Sequence, residues 1–135
     1  MHSSYSTTFT QNQQLRKLLK STDTSYERLE FLGDTILEMI VTEYLFAANP
    51  SADEGFLTQR RISLVSNSVC SSVSTFLGLP SFILHRVSSL SLKMKADVFE
   101  STLAALYMTF GKELTSHFLI HSFMLFANSS TPTIN

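Results

Sequence analysis

Glu27-Arg28-Leu29-Glu30-Phe31-Leu32-Gly33-Asp34 is the stretch on which the reading of this chain turns. Glu30 and Asp34 stand four residues apart inside an otherwise apolar run. A second acid pair, Asp97 and Glu100, stands three apart in another apolar run. Spacings of three and four place side chains on one helix face. Carboxylates set among Leu, Phe and Ala are costly unless something compensates them. Divalent cations would compensate four of them converging from two helices.

Working outward, helical periodicity dominates and strand-like alternation is rare, so an all-α bundle is expected. A short helix is expected over Asn12–Leu19. Thr24 and Glu27 have capping-box spacing, which starts a second helix over Tyr26–Ala48 that stops before Pro50. On its wheel Leu29, Leu32, Ile36, Met39 and Ile40 share one face, and Glu27, Glu30, Asp34 and Glu38 the opposite one. A third helix is expected, capped by Thr58, with Ile62, Val65, Val69, Val73 and Phe76 on its buried face and Gly78-Leu79-Pro80 closing it. Ser81–Leu92 reads as a helical turn followed by a loop. A fourth helix is expected from near Ala96 to Phe110, ending at Gly111, and a fifth over about 113–126. The expected organisation is a flexible N-terminus over 1–11, one domain over 12–127 and a flexible tail over 128–135.

Composition bounds the function. At 135 residues the chain is one domain, 44% hydrophobic and only 16% charged. So much apolar residue in so small a domain points to burial in a partner interface. The net charge of −1 announces no polyanion partner by itself, so binding one would need local clusters or metal ions. The single Cys70 excludes an internal disulfide and fits a reducing, intracellular compartment. No apolar run is long enough to span a membrane, and residues 1–5 lack the features of a secretory signal.

If the second and fourth helices pack side by side, with Ala104 and Ala105 allowing close approach, Glu30, Asp34, Asp97 and Glu100 meet at one end of the bundle. Together they would repel and rise in pKa without a counter-charge. Mg²⁺ answers this, since it takes oxygen ligands, keeps waters and commonly uses carboxylates plus a phosphate. Such a centre activates a water and steadies the leaving oxygen of a phosphodiester without any nucleophilic side chain. The plainer reading of either pair alone is a solvated helix face.

The residues carry more than their spacing. Glu27 to Asp34 resembles the ribonuclease III signature residue for residue. Lys93-Met94-Lys95-Ala96-Asp97-Val98-Phe99-Glu100 resembles that family's second acidic motif. Leu57-Thr58, Arg61 and Leu64-Val65-Ser66-Asn67 between them are similar to its third-helix pattern, and the likeness extends from about Tyr26 to Gly111. It implies a ribonuclease III-like helical domain and a Mg²⁺-dependent endoribonuclease, with Mn²⁺ as a substitute. That enzyme would cut double-stranded RNA as a dimer and leave short 3′ overhangs. By position it implies that Glu30, Asp34, Asp97 and Glu100 are the metal-binding catalytic acids. Glu27 and Phe31 match dimer-contact positions. Tyr26 and Lys93 lean toward the Dicer-like branch, where a lysine four before Asp97 lies near the catalytic centre and would stabilise charge on the scissile phosphate.

Some features depart from the family. Leu18-Leu19-Lys20-Ser21-Thr22 lacks the His that usually ends the first helix, Ser101-Thr102 follows Glu100 where Ala-Leu is commoner, and the residues given after Phe126 are too few for a double-stranded-RNA-binding domain, so either a fragment of a larger protein or a minimal enzyme is expected. Arg61 and Lys95 are candidates for RNA phosphate contact, whereas Arg60 and Lys112 read as solvated charges. His117 and His121 are four apart but have no third ligand, and read as surface or packing residues. Cys70 reads as core, and Phe118, Phe123 and Phe126 as a packing surface. The alternatives to a catalytic homodimer are a non-catalytic scaffold or RNA-binding subunit of this family, which typically loses one or more of the acids, and one half of a heterodimer.

Overall fold

The computed structural model describes residues 26–82 and 90–130. The expected helix over Asn12–Leu19, the cap at Thr24 and the segment 1–11 lie outside the described residues. Five α-helices account for most of the rest: α1 (Tyr26–Ala48), α2 (Glu54–Leu64), α3 (Asn67–Phe76), α4 (Leu92–Phe110) and α5 (Lys112–Ser130), with a 3₁₀ turn over Leu79–Phe82. No strand occurs among the described residues, so the all-α expectation holds.

Local chemistry sets the boundaries. α1 ends where Asn49 turns back on Leu45, its backbone N–H and side-chain Nδ2 both donating to the Leu45 carbonyl (3.1 and 3.0 Å), immediately before Pro50. The expected third helix is two helices, and this corrects the sequence reading. Asp53, not Thr58, caps α2, its Oδ1 accepting from the Phe56 N–H at 2.9 Å. The chain then breaks at Ser66, whose hydroxyl donates to the Ser63 carbonyl (2.8 Å) and accepts from the Val69 N–H (3.2 Å). A serine side chain that bonds the backbone on both sides offers it an alternative to continuing the helix. Because α2 and α3 are separate, the single wheel drawn through them fails at its ends. Val73 is fully buried, but Ile62 is 55% and Phe76 44% exposed.

α4 starts four residues earlier than expected, at Leu92, because Ser91 caps it by accepting from the Met94 N–H at 3.1 Å. Its first turn is Leu-Lys-Met-Lys, and both Leu92 and Met94 are exposed, so no apolar stripe marks it in the sequence. α5 runs on to Ser130, so residues 128–130, expected in the tail, are helical. At the junction of α4 and α5 stands Gly111, with φ 89°, a conformation few side chains tolerate.

α4 is the central helix. Ala96, Phe99, Leu103 and Ala104 are completely buried, against Ile36, Leu37, Ile40 and Val41 of α1, Cys70 and Val73 of α3 and Leu119 of α5. Leu29, Leu32 and Met39 pack on this core at its edge. Phe123 of α5 stacks on Phe99 and Phe126 meets Phe76 edge-on, both with ring centroids 6.0 Å apart, so the aromatic face of the last helix is a packing surface.

α1 and α4 run parallel. Gly33 lies against Glu100 at one end, and Lys112, just past α4, pairs with Glu43 of α1 at the other (2.8 Å). A Cβ on Gly33 would fall inside the Glu100 carbonyl group. The obstacle is backbone, which cannot step aside as a side-chain end can. Gly33→Ala is therefore expected to destabilise the fold by about 2–3 kcal/mol, at the upper end of overpacking costs. The urea unfolding midpoint measures this, and an unchanged midpoint would refute the close approach.

Candidate metal centre

Gly33 lies one turn from Glu30 and next to Asp34, so the close approach of α1 to α4 delivers both acids to the second pair. Carboxylate oxygens of Glu30, Asp97 and Glu100 come within 4.8 Å of one another. Asp34, exposed on α1, stands outside that triplet but lines the same cleft and acts electrostatically on Glu100. The cleft is about 650 Å³ and open to solvent, with Glu27, Phe31 and Tyr26 of α1, Lys93 of α4 and Asn67 of α3 completing its walls.

Burial differs sharply among the acids. Glu100 is 7% exposed, while the side chains of Asp97 and Glu30 are 14% and 25% exposed. Burial is the first reason that the Glu100 carboxyl is pushed up to about 7, and the negative charges of Asp34, Asp97 and Glu30 add to it. Glu30 is raised as well, by burial and then by its hydrogen bond and charge repulsion with Asp97. Lys93 opposes both effects. Its Nζ lies 3.0 Å from Asp97 Oδ2 and 3.8 Å from Glu30 Oε1, and these contacts raise its own pKa. Behind the acids, burial and the charges of Glu100 and Asp34 push the Cys70 thiol up to about 12, so it stays protonated and is core, as expected.

The donor set is all hard carboxylate oxygen on one wall of a wet cleft. That suits Mg²⁺ or Mn²⁺ and is a poor match to metals that favour thiolate or imidazole. No other group of three or more metal-ligating side chains occurs among the described residues. His117 and His121 are exposed on α5, where they line a separate cleft of about 620 Å³ with Glu113 and Lys112.

Of the other residues singled out in the sequence, Lys93, Glu27 and Phe31 border the acids. Arg61 and Lys95 do not. Arg61 donates to the Thr42 hydroxyl at 3.2 Å and lines a different cleft, and Lys95 is half-buried on α4. Ser101 and Thr102 also stay out of the cleft, Thr102 donating to the Val98 carbonyl. Sequence reasoning missed Asn67, an uncharged hydrogen-bonding group facing the acids from a third helix. The signal available was Ser66-Asn67 as a helix start, hidden while one helix was drawn through it.

The family model described as "Ribonuclease III domain" matches residues 27–111, and the chain belongs to that family. It is 39% identical over 103 residues to a probable ribonuclease 3 of Acanthamoeba polyphaga mimivirus, covering 76% of this chain and 19% of that one. The curated relatives that it matches are longer: the chain spans between 9% and 41% of them. The nuclease domain of ribonuclease III from Campylobacter jejuni superposes with a TM-score of 0.71 at 28% identity, over 78% of each chain. Dicer from Pichia stipitis superposes with a TM-score of 0.61 at 29% identity, over 81% of this chain and 55% of that one.

The raised Glu100 pKa has a definite sign in stability. Its folded pKa exceeds the ordinary 4.5, so the native state holds a proton that the unfolded state has released. Without metal, stability is expected to fall as pH rises from about 4.5 to about 7, by an amount on the order of 3 kcal/mol. Glu100→Gln should flatten that profile in urea titrations across the interval. Parallel profiles for the two proteins would refute the assignment.

Proposed function

We propose that this chain is the catalytic domain of a metal-dependent endoribonuclease that hydrolyses double-stranded RNA, working as a dimer and using Mg²⁺ or, in its place, Mn²⁺. One observation carries the reading: three carboxylates from α1 and α4 lie within 4.8 Å of one another in an open cleft, with a fourth, Asp34, beside them. Such a grouping opposes folding unless it serves a cation, because each acid raises the energy of its neighbours.

Glu30, Asp97 and Glu100, with Asp34 at the side, would hold the ion, which supplies an activated water and charge neutralisation at the phosphodiester. Glu100 is the most buried of the four, and its neighbours hold its position. Phe99 and Ser101 on either side are buried, and Gly33 packs on its backbone. Lys93 reaches the cleft from the first turn of α4 and presents the positive charge that a scissile phosphate needs. A duplex is longer than the cleft, so phosphate contacts at Lys95 and Arg61 would fall along the flanking backbone. Recognition through backbone and shape suits double-stranded RNA.

The dimer part rests on Phe31. It is 80% exposed at the cleft rim, one turn from Glu27, while Leu29 and Leu32, the other large apolar residues of its motif, are half-buried against the core. A partner seated there would border the acid cleft, and two such clefts would each cut one strand, leaving short 3′ overhangs.

Glu100→Gln is expected to keep the fold and duplex binding and to lose cleavage in Mg²⁺ by roughly a hundredfold or more, given the several kcal/mol that metal polarisation supplies. Product sizing on a plain RNA duplex checks this, and undiminished cutting would contradict the proposed roles. Phe31→Asp is expected to convert a dimer to a monomer in sedimentation velocity at micromolar concentration. A variant that sediments as the wild type does would place the partner contact elsewhere.

A further inference from the structure

We propose that Lys93 is a built-in counter-cation that competes with the divalent ion for Glu30 and Asp97, and that its ammonium is handed to an RNA phosphate once the ion is bound. The proposal deepens the metal-dependent reading above and rests on it.

Lys93 Nζ lies 3.0 Å from Asp97 Oδ2 and 3.8 Å from Glu30 Oε1. Both carboxylates belong to the triplet that would hold the ion. The Asp97 contact is local, one turn along α4, but the Glu30 contact crosses to α1 and exists only because the helices pack. The ammonium thus bridges the two helices over oxygens that a cation would need. A divalent ion taking those oxygens repels the ammonium and removes its partners.

Leaving costs Lys93 little. It is 69% exposed, on a flexible stem, and an exposed ion pair is weak. Among the described residues the walls of the cleft carry five acids (Glu27, Glu30, Asp34, Asp97 and Glu100) and one basic side chain, Lys93. While it is paired with Asp97 and Glu30 its single charge is outweighed by two carboxylates, and the other acids repel a phosphate. After the ion binds, Lys93 remains tethered at the cleft with its charge free. Cation first and RNA second is the order this geometry favours. A lysine standing clear of the acid oxygens would leave cation affinity nearly unchanged when removed, whereas removing one that pairs with them tightens cation binding.

The test is Mn²⁺ binding to the full chain at neutral pH without RNA, by calorimetry, for wild type, Lys93→Gln and Lys112→Gln. Lys112 pairs with Glu43 at the far end of the same helix pair, so its variant controls for net charge. Lys93→Gln is expected to lower the Mn²⁺ Kd roughly three- to tenfold, as removing one charge about 4 Å away should. Lys112→Gln should leave the Kd unchanged. At saturating Mn²⁺, Lys93→Gln should cleave duplex RNA more slowly, and an unchanged rate would overturn the hand-over to phosphate. If the wild type binds Mn²⁺ and Lys93→Gln binds it no tighter, the competition is wrong and the metal-dependent reading stands. If neither protein binds Mn²⁺, both fall together.

Discussion

The backbone of Glu100 rests on Gly33, and the rest of the molecule is arranged around that contact. Two parallel helices come this close only where one of them has no Cβ at the crossing. The fully buried Ala96 and Ala104 flank the same face of α4. Close approach here has a chemical consequence beyond packing. Carboxylate side chains are short, so acids on neighbouring helices share an ion only if the backbones are nearly touching. Glycine at the crossing brings Glu30, Asp97 and Glu100 within 4.8 Å of one another, with Asp34 beside them in the same cleft.

That arrangement works against stability. Glu30 and Glu100 both have raised pKa values, with burial as the leading cause in each case. The core carries the cost. Phe99, Leu103, Leu37 and Leu119 are completely buried around α4, and the stacked Phe99–Phe123 pair fastens α5 to the helix that carries two of the acids. Lys93 gives partial relief at the exposed end of the cluster, where it reaches Asp97 and Glu30 but acts only at a distance on Glu100. The charge left over is the quantity a bound cation would neutralise, so fold stability and metal affinity are two sides of one electrostatic balance.

The cleft is also placed so that its surroundings matter. Its rim carries Glu27 and the exposed Phe31, and its far wall is Asn67 at the start of α3. Three helices therefore define it, and Asn67 stands just past the break at Ser66 that separates α2 from α3.

Much of this was legible in the order of residues. Glu30, Asp34, Asp97 and Glu100 could be selected as a set because acids at helical spacing inside apolar runs need a reason, and the helix over Tyr26–Ala48 was bounded by its pattern and by Pro50. The resemblance of Glu27–Asp34 and Lys93–Glu100 to the ribonuclease III motifs gave the family before any coordinate did. The caps at Asp53, Ser66 and Ser91 were harder. Serines and aspartates abound here, and only a competing hydrogen bond, such as Ser66 to Ser63 and Val69, decides which of them starts a helix. What the tertiary structure alone decided is distance. Asp34 stands just outside the triplet, Arg61 is tied to Thr42 instead of facing the acids, and Lys93 spans two helices. These outcomes depend on how α1 crosses α4, which is a matter of backbone contact and not of residue type.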